Sequence, residues 1–350
     1  MTVDRARAVA RGVVLLLAGM ATLGCTSLLY VAQAAQGQVE LGYLARPIAD
    51  VVRDPEVPTR TRELLSRVAS IKQFGEAHGL TPTENYREYA ALDRPAAVWV
   101  VSACEPLRFQ SKMWSFPIAG RVTYLGWFDW WDAEAFVAEL KKEGWDVHLR
   151  PAGAYSTLGW FDDPVLSTMI SEGDEALGEL ANTVLHESVH ATLYIPGQTL
   201  LNESLADFVA DRLTPRYLDE QIGARSPEKL AWEADQEESA VRRRAMARTY
   251  SRLEQIYASA APSAEKLAQK AQVLVGLRRE LGLRRELNNA ALAQFKTYAS
   301  GEADFAALLG ACGGSYRRFF AALRAQPLGQ APQDEVLVVV ARLARAGCRS

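Results

Sequence analysis

The sequence has no excess of positive charge, few cysteines and only four histidines. Its 39 lysines and arginines are outnumbered by 42 aspartates and glutamates, and the net charge is -3. Because a nucleic-acid-binding surface needs a broad positive field, we expect no nucleic acid partner. Four cysteines without a CxxC spacing argue against a cysteine-based metal site, and the three beyond Cys25 allow at most one internal disulfide.

Charge is absent from residues 12–39, and this run follows three arginines near the N-terminus. A basic start followed by an apolar stretch is typical of a secretory signal. The segment ending at Cys25 resembles a bacterial lipobox, in which Cys25 would be lipidated. An uncleaved anchor helix and simple secretion are the alternatives. All three place the folded body outside the cytoplasm, and we expect a cell-envelope lipoprotein that faces the periplasm and is held to a membrane by its N-terminus.

The rest of the chain, 49% apolar overall, predicts a globular α+β protein. We divide it into the signal or anchor (1–25), a lead-in of short helices (26–90), a sheet with the catalytic region (91–215) and a helical lobe (216–350). The lobe contains a long charged helical hairpin, which we interpret as a solvated surface. A small mixed sheet is expected, with a helix capped by Asp132 before its last strand. Its predicted strands are 96–102, 114–119, 121–127 and 145–150, with a turn at Gly120.

Two of the four histidines fall in the motif His186-Glu187-Ser188-Val189-His190. The surrounding run has helical spacing of apolar residues, no proline, and Asp174 as a candidate N-cap. Residues four apart share one helical face, so both imidazoles can bind one ion. Glu187 is rotated about 100° from His186 and is placed to act as general base toward a water on the metal.

A catalytic zinc needs a third protein ligand and an open position for water. Glu203 is the candidate, because it opens a second helix thirteen residues after His190. Asp207, one turn later, could accept the second ring N–H of His186. Tyr155 is the candidate donor to an oxyanion, with Tyr194 as a rival. The residues Asn288, Asn289 and Tyr298 suit substrate contacts or, more commonly, capping and core roles, while His78 and His148 are interpreted as structural.

These residues resemble the gluzincin metallopeptidases of thermolysin type, which have HExxH, a glutamate on a second helix and an aspartate one turn later. Over nearly the whole mature chain the sequence is similar to bacterial lipoproteins described as predicted aminopeptidases. The stretches that carry this similarity are 154–164, the His186 motif, 196–199, 202–204, 287–290 and 312–314. The resemblance implies one zinc ion on His186, His190 and Glu203, with Glu187 as base.

The sequence therefore predicts a zincin-like α+β fold in which the small sheet packs on the HExxH helix. It predicts a zinc-dependent metallopeptidase that acts on peptides, as an aminopeptidase. Two departures leave alternatives open. The spacing to Glu203 is shorter than in thermolysin, and no GxMEN-like element for binding a free amine is present. An endopeptidase, or a non-catalytic envelope lipoprotein with a vestigial metal site, are the other hypotheses.

Overall fold

A computed structural model of the protein describes the chain from Cys25 to Cys348, apart from residues 117–119, 156, 158–160, 300 and 333–334. The side chains of residues 25–29 and 295–299 are also not described. The predicted signal segment therefore lies outside the described residues, except for the backbone of Cys25.

The fold is α+β, as predicted, and helices predominate. The helices are α1 (Cys25–Leu44), α2 (Ile48–Val51), α3 (Thr59–Ala77), α4 (Trp130–Lys142), α5 (Ala176–Thr192), α6 (Thr199–Ile222), α7 (Pro227–Ala258), α8 (Ser263–Glu280), α9 (Asn289–Ala299), α10 (Glu302–Ala311), α11 (Tyr316–Arg324) and α12 (Val336–Ala346). The strands are β1 (Ala45–Pro47), β2 (Glu88–Ala90), β3 (Val98–Cys104), β4 (Trp114–Phe116), β5 (Gly120–Val122), β6 (Tyr124–Trp127), β7 (Asp146–Ala152) and β8 (Val165–Leu166).

The predicted strands form two separate antiparallel units rather than one mixed sheet. Strand β3 lies in the centre of a sheet with the order β6-β3-β7, while β4 and β5 pair as a hairpin. The sheet does not pack on the HExxH helix as predicted. Its apolar face, with Leu125 and Trp127, packs instead on Phe136 and Leu140 of α4 and forms a core of its own. The amphipathic helix between β6 and β7 is close in sequence, so it covers the apolar face of this sheet.

A mixed sheet does exist, but it was not predicted. It has the order β1-β2-β8, with β1 antiparallel and β8 parallel to β2. Its buried residues share the main core with α3 and α5. Strands of two or three residues are too short to show an alternating pattern, which explains why sequence analysis missed them. The lead-in also differs from the prediction, because α1 and α3 are long helices and α3 packs against α5.

Two predicted helix caps are displaced by a few residues. Helix α4 is capped by Asp129, whose side chain accepts hydrogen bonds from the backbone N–H groups of Trp131 and Asp132, so Asp132 lies inside the helix. Helix α5 begins after Glu175, without a side-chain cap, and Asp174 does not cap it. Such shifts are common, because several polar residues near a helix start can satisfy the same donors.

The predicted helical hairpin is confirmed as α7 and α8, which form a third core with Leu253 and Leu277. Lys270 of α8 joins the hairpin to the antiparallel sheet by an ion pair of 2.5 Å with Asp146. Asn289 reinforces this junction, because its side chain binds Tyr257 and the backbone carbonyl of Glu105.

One disulfide is present, between Cys312 and Cys348, and Cys104 is a buried free thiol. This agrees with the limit of one internal disulfide set by the cysteine count. None of the described helices combines the length and the apolar character needed to cross a membrane.

Candidate metal centre

Helix α5 holds the two histidines in place through its buried face. Its apolar residues Leu180, Val184, Leu185 and Val189 are all fully buried. Burial of side chains of this size stabilises the fold by about 1.5–3 kcal/mol each. The rotation of α5 about its axis is therefore set by the core, and His186 and His190 project together from the adjoining face.

The turn between α5 and α6 brings Glu203 to the histidines. Asn202 closes this turn, since its side chain accepts a hydrogen bond from the N–H of Ile195 and donates one to the Ile195 carbonyl, at 3.0 Å and 2.9 Å. Gly197 has a φ of 78°, a conformation that favours glycine. The hairpin of β4 and β5 lies against this turn, because a Cβ on Gly120 would be 3.2 Å from the Gly197 nitrogen. Glu203 directly follows Asn202, and the two hydrogen bonds of Asn202 to Ile195 therefore help to fix the position of Glu203.

His186, His190 and Glu203 form a possible metal site. The Nε2 atoms of the two histidines are 3.2 Å apart. Glu203 Oε2 is 3.6 Å from His186 Nε2, and Glu203 Oε1 is 3.9 Å from His190 Nε2. Ligands at 2.0–2.1 Å around a tetrahedral zinc lie about 3.4 Å from one another, so the three side chains fit such an ion.

The ring nitrogen of His186 that faces away from the other ligands also has a partner. Its Nδ1 atom lies 2.9 Å from Asp207 Oδ1, one helical turn beyond Glu203. Burial alone would lower the pKa of His186, but the carboxylates of Asp207 and Glu203 raise it well above its usual value. Burial would likewise raise the pKa of Glu203, but the two histidines and Tyr124 lower it to about 2. The site therefore keeps a buried carboxylate ionised beside the imidazoles.

Two polar atoms at the site have no hydrogen-bond partner among the described residues. They are Glu187 Oε2 and His190 Nδ1, and both are buried. Buried polar atoms are nearly always hydrogen-bonded, so both atoms are candidates for contact with a ligand or with water. Glu187 does not belong to the ligand set, but it directly follows His186 on the same helix, and its charge is among the causes that raise the pKa of that histidine.

Comparison with known proteins identifies the family. A family model described as "Putative aminopeptidase" matches residues 29–337. The chain belongs to this family. The name suggests a peptidase, and the match covers the whole candidate centre. Neither a curated protein nor a solved structure matches the chain.

In this family member, Tyr124 is a site residue that sequence analysis missed. Its hydroxyl donates a hydrogen bond of 3.1 Å to Glu203 Oε1. Tyr124 is the first residue of β6, 79 positions before Glu203 in the sequence. Its place in the sheet comes from the pairing of β6 with β3, and no short-range sequence pattern predicts that pairing.

The two tyrosines considered from the sequence occupy different places. Tyr194 lies near the centre, with its ring 6.3 Å from that of His190, and burial followed by the charge of Glu203 raises its pKa. Tyr155 packs edge-on against Phe128 at 4.9 Å. Burial is the main cause of its raised pKa, and among the described residues no hydrogen bond joins it to the three ligands. A role of Tyr155 toward an oxyanion stays a prediction.

The remaining candidates from the sequence have structural surroundings. Asn288 binds the backbone carbonyl of Val147 and, like Asn289, ties α9 to the sheet. His78 ends α3, with its ring nitrogen 2.8 Å from the Phe74 carbonyl. His148 lies in β7, where burial followed by nearby arginines lowers its pKa to about 4. The side chain of Tyr298 lies outside the described residues.

Proposed function

We propose that this protein is a zinc-dependent metallopeptidase, and that it acts as an aminopeptidase. The observation that carries the proposal is the convergence of His186, His190 and Glu203, with spacings of 3.2 Å, 3.6 Å and 3.9 Å, together with the charge of Glu187, which acts on His186. Membership of the "Putative aminopeptidase" family supports a peptidase. The mixed helices and small sheets are compatible with a zincin-like arrangement, which we include in the proposal.

The donor set favours zinc over other divalent cations. Two imidazole nitrogens and one carboxylate oxygen are the ligands of many catalytic zinc sites, whereas magnesium and calcium prefer oxygen ligands alone. Zinc bound there would act as a Lewis acid and lower the pKa of water to about 7. Three protein ligands leave one position of a tetrahedral ion open.

Residues outside the ligand set have separate roles in the proposed reaction. Glu187, with an unpartnered buried oxygen, accepts a proton from the attacking water and passes it to the leaving nitrogen. Asp207 orients the His186 ring, and Tyr124 orients the Glu203 carboxylate. Tyr194 and Tyr155 are the candidate donors to the oxyanion.

Removal and return of the metal tests this function. We expect the purified protein to hydrolyse peptides with a free N-terminus, to lose this activity on dialysis against a chelator, and to regain it with zinc. N-acetylation of the same peptides should abolish cleavage by an aminopeptidase. Equal cleavage of acetylated peptides would instead identify an endopeptidase, and a zinc-loaded protein that cleaves no peptide would refute the proposal.

We also propose that the protein is exported and anchored to a membrane through Cys25. The uncharged run of residues 12–39 supports this, as does the disulfide between Cys312 and Cys348, because disulfides persist in oxidising compartments. Mass spectrometry of the mature N-terminus tests it. A lipid on Cys25 is expected, and release of the Cys25→Ser protein from membranes should follow. An unmodified, cytoplasmic protein would contradict the proposal.

A further inference from the structure

The first helix, α1, is fixed to the rest of the protein through one face. On this inner face the ring of Tyr30 lies 5.5 Å from the ring of Trp127. The side chain of Gln33 accepts a hydrogen bond of 3.0 Å from the backbone N–H of Phe128. Leu41 is fully buried in the main core. Because these three residues of α1 share one helical face, their contacts set the rotation of the helix about its axis.

The opposite face of α1 is exposed. It carries an outer ridge of four exposed side chains, Ala32, Gln36, Val39 and Tyr43, which line up because they are spaced by four, three and four residues. Val39 is 51% exposed, and Tyr43 at 89% is the most exposed large apolar side chain among the described residues. Val39 precedes the buried Leu41 by two positions, or about 200° around the helix, so the ridge faces away from the core.

The outer ridge has no charged side chain. Glu40 is the single charged residue of α1, and it forms an ion pair of 2.7 Å with Arg94. By comparison, the exposed positions of α3 include Glu63 and Arg67. The face of a helix that meets water ordinarily carries charged and polar side chains. The composition of the outer ridge therefore favours contact with something less polar than water.

The position of α1 in the chain indicates what this surface contacts. The uncharged run of residues 12–39, which supports the proposed membrane anchor, continues through α1 as far as Val39. The described part of α1 begins at Cys25, so an anchor on Cys25 would hold this end of the helix at the bilayer. Tyr43 lies eighteen residues further on, about 27 Å along the axis. Tyrosine is enriched at the level of the lipid headgroups.

The small size of the outer ridge argues against a protein partner. Only two of its four side chains are large and apolar, namely Val39 and Tyr43. A stable protein interface buries about 800 Å² on each partner, from about 20–30 residues. Contact with a bilayer needs far less area, because the anchor already keeps the helix next to the lipid at a high effective concentration.

We propose that the outer ridge of α1 lies on the surface of the lipid bilayer, with Val39 and Tyr43 at the level of the headgroups. This inference rests on the proposed anchoring through Cys25 and adds a second contact to it. A lipid on one residue leaves the body free to rotate, whereas a helix that lies along the bilayer holds the body in one orientation.

An environment-sensitive dye tests this placement. The mature chain with Cys25→Ser and an N-terminal hexahistidine tag is tethered to vesicles of phosphatidylethanolamine and phosphatidylglycerol that contain a nickel-chelating lipid. The dye NBD is attached to Val39→Cys or, as a matched control, to Val275→Cys. Val275 lies on α8 and is also 51% exposed. The remaining cysteines are buried or disulfide-bonded, so the dye reacts at the new cysteine.

We expect the emission of the dye at position 39 to shift to shorter wavelength on tethering, because the dye enters a less polar layer, while the emission at position 275 stays unchanged. Adding Tyr43→Asp should remove the shift, since it places a charge on the ridge. Adding Trp131→Asp should leave the shift intact, because Trp131 is 73% exposed but lies on α4.

No shift at position 39, equal shifts at both positions, or a shift that survives Tyr43→Asp would overturn the inference. The same shift in the absence of vesicles would also overturn it, because a second copy of the chain would then cover the ridge. The tether replaces the lipid, so a missing shift contradicts only the placement of α1. An unmodified Cys25 in mass spectrometry would instead contradict the proposed anchoring.

Discussion

Asp207 Oδ1 lies 2.9 Å from His186 Nδ1. This contact orients the His186 ring, so that Nδ1 faces Asp207 and Nε2 faces His190 and Glu203. The carboxylate thus prepares one ligand of the candidate metal centre without being a ligand itself.

Removal of this carboxylate should weaken metal binding. We expect Asp207→Ala to lower the zinc affinity by about ten- to a hundredfold, because His186 loses the acceptor that orients it. Competition with a chromogenic chelator measures this change. Asp211→Ala is the matched control, since Asp211 lies one turn further on α6 and binds Asn182 rather than a histidine. Equal losses in both variants would show that the contact with His186 has no specific role.

Removal of the Tyr124 hydroxyl should have a smaller effect on zinc affinity than removal of the Asp207 carboxylate. Its hydroxyl bonds to Glu203 Oε1 at 3.1 Å, and loss of one such bond costs about 1 kcal/mol, or roughly fivefold in affinity. We expect Tyr124→Phe to weaken zinc binding by about this factor while Tyr194→Phe leaves it unchanged. Unchanged affinity in Tyr124→Phe would mean that Glu203 is positioned by its helix alone.

Substitution of Glu187 should lower turnover without changing the amount of bound zinc. Glu187→Gln keeps the size of the side chain and all three ligands but removes the base, so kcat should fall by about 10²–10⁴-fold with bound zinc unaltered. Steady-state kinetics and metal analysis on the same preparation give both values. A variant with normal turnover would refute the assigned role.

The stability of the fold should fall in mildly acidic solution because of His148. Burial, followed by the charges of Arg150 and Arg285, lowers its pKa from 6.5 to about 4. Above pH 6.5 both folded and unfolded chains carry the neutral ring. Between pH 6.5 and about pH 4, His148 binds a proton in the unfolded chain but stays neutral in the folded chain. The free energy of unfolding therefore decreases as the pH falls through this range.

Between pH 7 and pH 5 this loss amounts to at most about 2 kcal/mol. Urea denaturation at the two pH values measures it. His148→Gln should show a smaller drop than the wild-type protein, because glutamine does not titrate. The same drop in both proteins would show that His148 does not cause the pH dependence.

The parts of the site that depend on local periodicity could be predicted from the sequence. His186 and His190 share a face because they are four residues apart, and Asp207 follows Glu203 by the same interval on α6. Tyr124 could not be found in this way, because its position depends on strand pairing across distant parts of the chain. The mixed sheet was missed for a related reason, since β8 has only two residues and no pattern to recognise.

Zinc analysis of the wild-type and Glu203→Ala proteins tests the central claim most directly. The account predicts a single zinc ion per chain in the wild-type protein, bound by His186, His190 and Glu203. It predicts the loss of that zinc, together with peptidase activity, when Glu203 becomes alanine. A folded wild-type protein that binds no zinc, or a Glu203→Ala protein that keeps both its zinc and its activity, would contradict the account.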